Sequence, residues 1–265
     1  MRIKGRVVVV TGASRGIGQS VARAVALAGG RAALLARSQE VVQVAAEIVA
    51  AGGQARGYCV DLTDPAALEG VARQIVSDLG APDIVVNNAG AGRWLYVEET
   101  PPEEAAAMMA SPYLAAFYVT RIFLPLLLER REGLIVNVNS PVAWLPWPGA
   151  AGYMAARWAM RGFSAALRAD LHGTGIKVLE LVPGKVSSTY FEHNPHSEER
   201  LPRITRWIPT LTPDEVATAL VDGIERNRRR MVIPLMLKLV FVVHAVAPGL
   251  VDWMMRTTGW RRGPD

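Results

Sequence analysis

The sequence predicts a three-layer α/β/α domain on a doubly wound parallel sheet. Over the first 190 residues, short β-rich runs alternate with helix-period segments, and the strand runs are apolar on both faces. A glycine-rich turn links the first strand to the first helix. The strands read as Val7–Val10, Arg31–Ala36, Ala55–Val60, Ile84–Asn87, Gly133–Asn139 and Lys177–Val182. The helices between them read as Gly16–Gly29, Ser38–Ala51, Pro65–Leu79, Pro102–Glu129 and Gly152–Gly173. Gly29-Gly30 and Gly52-Gly53 close helices, and Thr63-Asp64-Pro65 offers an N-cap followed by a first-turn proline. Strands joined by helices pair in parallel through right-handed crossovers. Without an internal repeat or low-complexity linker, 1–265 reads as one domain. A polar, proline-punctuated segment at about 185–212 reads as a substrate lid. A helix and a short strand follow, then an apolar tail at about 231–265.

Composition narrows the class. An apolar fraction of 51% and a charged fraction of 20% over 265 residues describe a chain able to bury one large core. Cys59 is the single cysteine, so no internal disulfide and no cysteine-based metal site can form. The chain runs from Met1 almost directly into its first strand with no secretory leader, which points to the cytoplasm. The net charge of +5 is concentrated late, at Arg226, Arg228, Arg229 and Arg230 and at Arg256, Arg261 and Arg262. No nucleic-acid motif or interleaved aromatic run accompanies these clusters, so nucleic acid is not an expected partner.

After the first strand comes Thr11-Gly12-Ala13-Ser14-Arg15-Gly16-Ile17-Gly18, opening a helix. Glycines here let the backbone turn sharply and approach a pyrophosphate, whose charge sits at the positive helix N-terminus. This turn resembles the TGxxxGxG motif of the short-chain dehydrogenase/reductase family. Three further segments resemble that family in order: Asp61-Leu62, its adenine-contacting pair; Asn87-Asn88-Ala89-Gly90; and Pro183-Gly184 with Val186, its PGxV segment beside the nicotinamide. The resemblance covers roughly residues 5 to 190 and implies a Rossmann-type fold. It also implies a dinucleotide site at Gly12, Ser14, Arg15, Gly16, Ile17, Gly18, Arg37, Asp61, Leu62, Asn88, Ala89, Gly90, Tyr153, Arg157, Pro183, Gly184 and Val186.

Charge argues which dinucleotide. An enzyme choosing NAD usually offers a carboxylate to the ribose at the end of the second strand. Here that position is Ala36, followed by Arg37, and Arg15 stands inside the glycine-rich turn. Two guanidiniums and no acid suit a 2′-phosphate and favour NADPH over NADH. The plainer reading is two solvated surface arginines.

The family resemblance also implies a catalytic set of Asn, Ser and Tyr-x-x-x-Lys. Ser140 ends the fifth strand and Tyr153 follows thirteen positions later, matching the family spacing. Ser would orient a carbonyl, and Tyr would exchange a proton with its oxygen during hydride transfer. A tyrosine, of ordinary pKa about 10, suits neutral pH only if a nearby cation favours its phenolate. Two positions depart from the pattern. Arg157 replaces the lysine; it shares a helix face with Tyr153 and supplies charge and hydrogen bonds, but a guanidinium, with a pKa above about 12, does not relay protons. Pro112 stands where the family carries its Asn, within Ala110-Ser111-Pro112-Tyr113. A proline there is expected to preserve a helix kink and to free the carbonyl of Met108 to hold a relay water; the alternative is that the relay is gone.

Trp94, Trp144, Trp147, Tyr190, Phe191 and Trp207 fall in loops after strand ends or in the lid, which suggests a roomy apolar site for a hydrophobic small molecule. Each could equally pack the domain's top face. His193 and His196 lack acidic or cysteine partners at ligand spacing, so no metal is expected. The tail carries an apolar run broken by Lys238, His244, Pro234 and Pro248, too short for a span of about 20 residues. Its first reading is a buried or subunit-facing segment, its second peripheral membrane contact, and its third a hydrophobic cover over a lipid-like substrate. The resemblance implies a homodimer or homotetramer through the two long helices, with Phe117, Leu124 and Trp158 available there.

Three functions remain open. The first is NADPH-dependent reduction of a carbonyl in a hydrophobic substrate, or oxidation of the alcohol. The second is dehydration, isomerisation or cyclisation in the same pocket, motivated by Pro112 and Arg157. The third is NADPH binding without turnover, which leaves Ser140 and Tyr153 without a purpose.

Overall fold

The computed structural model describes residues 1–262; the last three positions of the tail expected at 231–265 lie outside the described residues. Seven strands form one sheet: β1 (Val7–Thr11), β2 (Arg31–Ala36), β3 (Gln54–Cys59), β4 (Ile84–Asn87), β5 (Gly133–Val138), β6 (Ile176–Pro183) and β7 (Arg230–Ile233). Their order is β3-β2-β1-β4-β5-β6-β7, and every pairing is parallel. The chain leaves β1 toward β2 on one side and returns at β4 on the other, so β1 and β4 flank the point where strand order reverses. Ligand crevices open at such a point, beyond the carboxyl ends of the strands.

Register explains the doubly apolar strands. Val9 lies opposite Ala33 and Val85, Val85 opposite Ile135, and Ile135 opposite Val178. Successive side chains point to opposite faces. This row therefore packs toward α3 (Pro65–Leu79), α5 (Ala115–Arg130) and α6 (Ala151–Asp170), with Leu68, Phe123 and Leu167 among its neighbours. The next row, with Val10, Leu34, Val86 and Val136, packs toward α1 (Gly16–Leu27), α2 (Glu40–Ala50) and α8 (Pro213–Glu225). Asp64 caps α3 by accepting from the amides of Ala66 and Ala67, and Thr212 and Glu215 form a capping box on α8.

Three expectations need correction. The third strand is not apolar on both faces: β3 lies at an edge of the sheet and is largely exposed, as β7 at the other edge is half-buried. The long helix expected at Pro102–Glu129 is broken into α4 (Pro102–Met108), a π-helical turn at Met109–Leu114, and α5. Ser111 sits at φ −136°, ψ 109°, the extended geometry that a following proline imposes on its predecessor. This whole run is long and apolar enough to cross a membrane, but Val119, Phe123 and Leu127 bury one side of it against the sheet. The tail forms α9 (Leu235–Val246) and α10 (Pro248–Thr258). It is only half buried: Leu237, Val251 and Met255 face inward, while Leu235, Leu239, Val242 and Val246 are exposed. Between β6 and α8 the segment 185–212 carries the four-residue helix α7 (Tyr190–His193) and two short 3-10 turns.

Candidate active site

The glycine-rich loop is locked to the end of β4. The Thr11 hydroxyl accepts from the amides of Asn88 (2.9 Å) and Ala89 (3.0 Å) and donates to Val86 O (3.2 Å). Asn88 Nδ2 in turn donates to Thr11 O at 2.9 Å and Gly12 O at 3.3 Å. Gly12 and Gly16 adopt φ of 64° and 55°, where a side chain would be strained. A Cβ on Gly12 would stand 2.9 Å from Ala89 Cα, and one on Gly18 only 2.2 Å from Gly12 O. Gly18 lets helix α1 pack closely beneath the loop and is not among the residues lining the cavity above it.

That cavity, of about 830 Å³, runs from the loop to the end of β5 and under the segment 185–212. It gathers Gly12, Ser14, Arg15, Gly16, Ile17, Arg37, Asp61, Leu62, Asn88, Ala89, Gly90, Ser140, Tyr153, Arg157, Pro183, Gly184 and Val186 on one wall system. At one end stand Ala36, Arg37 and Ser38 with Asp61 and Thr63. The Thr63 amide and hydroxyl, at 2.9 and 2.7 Å, hold the Asp61 carboxyl below the usual range, and Arg37 adds to the effect. Arg15 Nη1 lies 2.6 Å from His193 Nε2, joining the glycine-rich loop to α7. His196, with φ 63°, pairs outward with Glu199 at 3.6 Å.

At the other end Tyr153 and Arg157 occupy successive turns of α6, both buried. The Arg157 guanidinium carbon is 5.1 Å from the Tyr153 ring centroid, and its Nη1 donates to Val138 O at 3.1 Å. Its Nε is buried without a partner among the described residues. Gly90 makes room for this side chain, since a Cβ there would be 2.7 Å from Arg157 Nη2. Pro112 is buried, and its Cβ lies 3.4 Å from the same point. The kink expected at Pro112 is present. The backbone passes Pro112 in a π-helical turn with Ser111 extended, and the amide of Ala115 donates to Ala110 O.

Ser140 is placed by a buried chain that sequence reading missed. Its amide donates to Asn139 Oδ1 at 2.9 Å, and Asn139 Nδ2 donates to Glu180 Oε1 at 3.1 Å. Glu180 is fully buried, with Arg230 Nε at 3.3 Å and Arg168 Nη2 at 3.6 Å from Oε2. The available signal was an acid in the middle of the apolar run Lys177–Val182. A second phenol was also under-read. Tyr190 donates to Gly92 O at 2.6 Å, its ring 6.2 Å from that of Tyr153. Burial first, then the neighbouring Tyr153, push Tyr190 well above the ordinary tyrosine range.

The aromatic expectation divides. Trp94, Trp147, Tyr190 and Phe191 line the cavity, and Trp94 packs 5.2 Å from Trp147 and 5.9 Å from Phe191. Trp144 is elsewhere, stacked 5.4 Å from Phe241 and 4.9 Å from the Arg161 guanidinium carbon. Trp207 projects into solvent, 79% exposed, because its short 3-10 turn presents the ring away from the lid's inner side.

These residues suit a dinucleotide. The loop is a cradle that Cβ atoms at Gly12 or Gly16 would strain, Arg157 carries a buried N–H with no partner among the described residues, and Arg15 and Arg37 line the same cavity. Comparison with known proteins agrees. The family model for short chain dehydrogenase matches residues 6–199. A fatty acyl-CoA reductase of Acinetobacter baylyi is 29% identical over 256 residues, 96% of this chain and 84% of that protein. The alcohol dehydrogenase of the archaeon Thermococcus sibiricus, solved with 5-hydroxy-NADP, superposes with a TM-score of 0.75 at 28% identity, over 86% of this chain and 95% of that one. A putative NAD(P)-dependent gluconate 5-dehydrogenase of Beutenbergia cavernae, solved with NADP, gives 0.76 at 30% identity over 83% and 90%. The chain belongs to the short chain dehydrogenase family of oxidoreductases.

Proposed function

We propose that this protein is an NADPH-dependent oxidoreductase that reduces a carbonyl, or oxidises the corresponding alcohol, in a hydrophobic substrate. One observation carries the reading: a single cavity joins a glycine-rich cradle and two arginines at one end to Ser140, Tyr153 and the Trp94–Trp147–Phe191 wall at the other. The names of the relatives support it, since one reduces a fatty acyl-CoA and two structural neighbours hold NADP or its derivative.

Arg15 and Arg37 would grip the 2′-phosphate, the loop amides the pyrophosphate, and Asn88, Tyr153, Arg157 and the Pro183-Gly184-x-Val186 segment the nicotinamide half. When bound, NADPH supplies a hydride to the carbonyl carbon. Ser140 donates a hydrogen bond to the carbonyl oxygen, and Tyr153 transfers its phenolic proton there as negative charge develops. The product is an alcohol, and the phenolate left on Tyr153 recovers a proton from solvent. Arg157, fixed beside that ring, stabilises the phenolate as a permanent charge and takes no part in the proton's path. The aromatic wall and the segment 185–212, read as a lid, hold the substrate's apolar part and exclude water.

The same reading includes a homodimer or homotetramer across α5 and α6, where Phe117 and Trp158 are exposed, and a cytoplasmic setting, which suits a lone reduced Cys59. Pro112 and Arg157 favour a second reading, non-redox proton transfer in the same pocket. The test is NADPH consumption with a panel of long-chain ketones and aldehydes, comparing the native protein with Tyr153→Phe. Consumption that falls by about 100-fold or more in the variant, with NADPH binding kept, supports reduction. Product formed without NADPH consumption supports the second reading.

A further inference from the structure

The tail helix α9 is apolar on both of its sides. Leu237 and Phe241 face inward, the first lining the cavity and the second packing on Trp144. On the opposite side Leu235, Leu239, Val242 and Val246 follow one another at helical spacing with exposures of 70, 57, 56 and 83%. A surface helix ordinarily turns charge outward, and a contiguous apolar face marks a place where something else sits. Helix α10, which packs against α9, also exposes Leu250 and Trp253, and exposed Trp207 lies on the 3-10 turn (Arg203–Trp207) that packs against α10.

The charge around this face selects its occupant. From Leu235 to Trp260 the only acid is Asp252, and it pairs with His244 at 3.3 Å. Arg206, Lys238, Arg256 and Arg261 form no ion pair among the described residues. A second copy docked on the same face would bring these cations together without counter-charges. An anionic lipid surface would take both the apolar side chains and the cations, and tryptophans favour its headgroup level. At 12 residues α9 is too short to span a bilayer, which needs about 20, so it would lie in the plane of the surface.

We propose that α9, α10 and the Arg203–Trp207 turn form a docking surface for anionic membranes, holding the mouth of the cavity against the lipid phase. Leu237 on α9, Thr205 in the turn and Leu201 and Ile208 beside it line the cavity, so the elements that meet lipid also frame the apolar end of the site. A carbonyl compound with a long alkyl chain would then reach Tyr153 from the bilayer without crossing water. This route for the substrate rests on the oxidoreductase reading; the docking does not.

The experiment is co-sedimentation of the full chain with vesicles of phosphatidylcholine alone and of phosphatidylcholine with phosphatidylglycerol, with no NADPH or substrate present. The native protein should partition onto the mixed vesicles several-fold better than onto the neutral ones, and less well as salt is raised. Leu239→Glu with Val242→Glu should lower that partition by about 10-fold or more. Lys238→Glu with Arg256→Glu should remove the preference for the anionic vesicles. Leu27→Glu, on the far helix α1 at a position 87% exposed, should change nothing. All replaced side chains are exposed, so thermal melts should match the native one. The proposal is overturned if the native protein stays in solution with both vesicles, or if Leu27→Glu reduces binding as much as the tail variants. It is also overturned if the tail variants instead dissolve a concentration-dependent dimer. Failure of vesicle binding with intact NADPH consumption would refute docking alone.

Discussion

Arg157 holds its guanidinium 5.1 Å from the Tyr153 ring centre while hydrogen-bonding the carbonyl of Val138, so one cation ties the Tyr153 phenol on α6 to the end of β5. The site keeps a positive charge beside its phenol although the family's lysine is absent.

Arg157→Lys tests what that charge does. Lysine retains the charge and can exchange a proton, so turnover should be kept or raised and its pH dependence altered. Arg157→Met should lower kcat by about 10-fold or more, with a buried Val138 carbonyl left short of a partner. Rate–pH profiles of the three proteins are the measurement.

Arg37 stands exposed at the end of β2 with no acid beside it on that strand. Arg37→Asp should weaken NADPH binding by about 10- to 100-fold and improve NADH binding, since a carboxylate accepts ribose hydroxyls and repels a 2′-phosphate. Titration of both nucleotides on native and variant protein decides it.

Two glycines should respond oppositely to alanine. Gly18→Ala puts a methyl group 2.2 Å from a backbone oxygen and should cost about 1–3 kcal/mol and displace the glycine-rich loop. Gly70→Ala, inside α3 with open space around it, should stabilise by about 0.5–1 kcal/mol. Denaturant melts of both variants, with NADPH binding for the first, check this.

Acid should loosen the floor of the sheet. Burial alone would raise the Asp83 pKa, but Arg6 at 2.7 Å, the Val7 amide at 2.8 Å and Arg130 outweigh it and hold the carboxyl below its ordinary range. A carboxyl depressed in the folded state contributes stability above its unfolded pKa, about 3.9, and loses it as pH falls through the folded value. Asp83→Asn should therefore be less stable than native protein by about 1–3 kcal/mol at neutral pH, and the difference should shrink as pH falls from about 4. Paired melts across that range are the check.

Much of this protein is local and was legible in its sequence. Strand and helix periods, the cap on α3, and the glycines of the Thr11–Gly18 turn depend on neighbours a few residues apart, and Ser140, Tyr153 and Arg157 were singled out by their resemblance to the family's pattern. Other features required the chain to be folded. The Glu180–Asn139–Ser140 chain joins the ends of two strands, and the Tyr190–Tyr153 and Arg15–His193 approaches join α7 to α6 and to the glycine-rich loop, nearly 40 and 180 positions apart. The role of Gly18 as packing, the exposure of Trp207 and the two-sided apolar surface of α9 were also decided by burial. A side chain's burial depends on what the rest of the chain brings over it, and periodicity within one helix cannot report that.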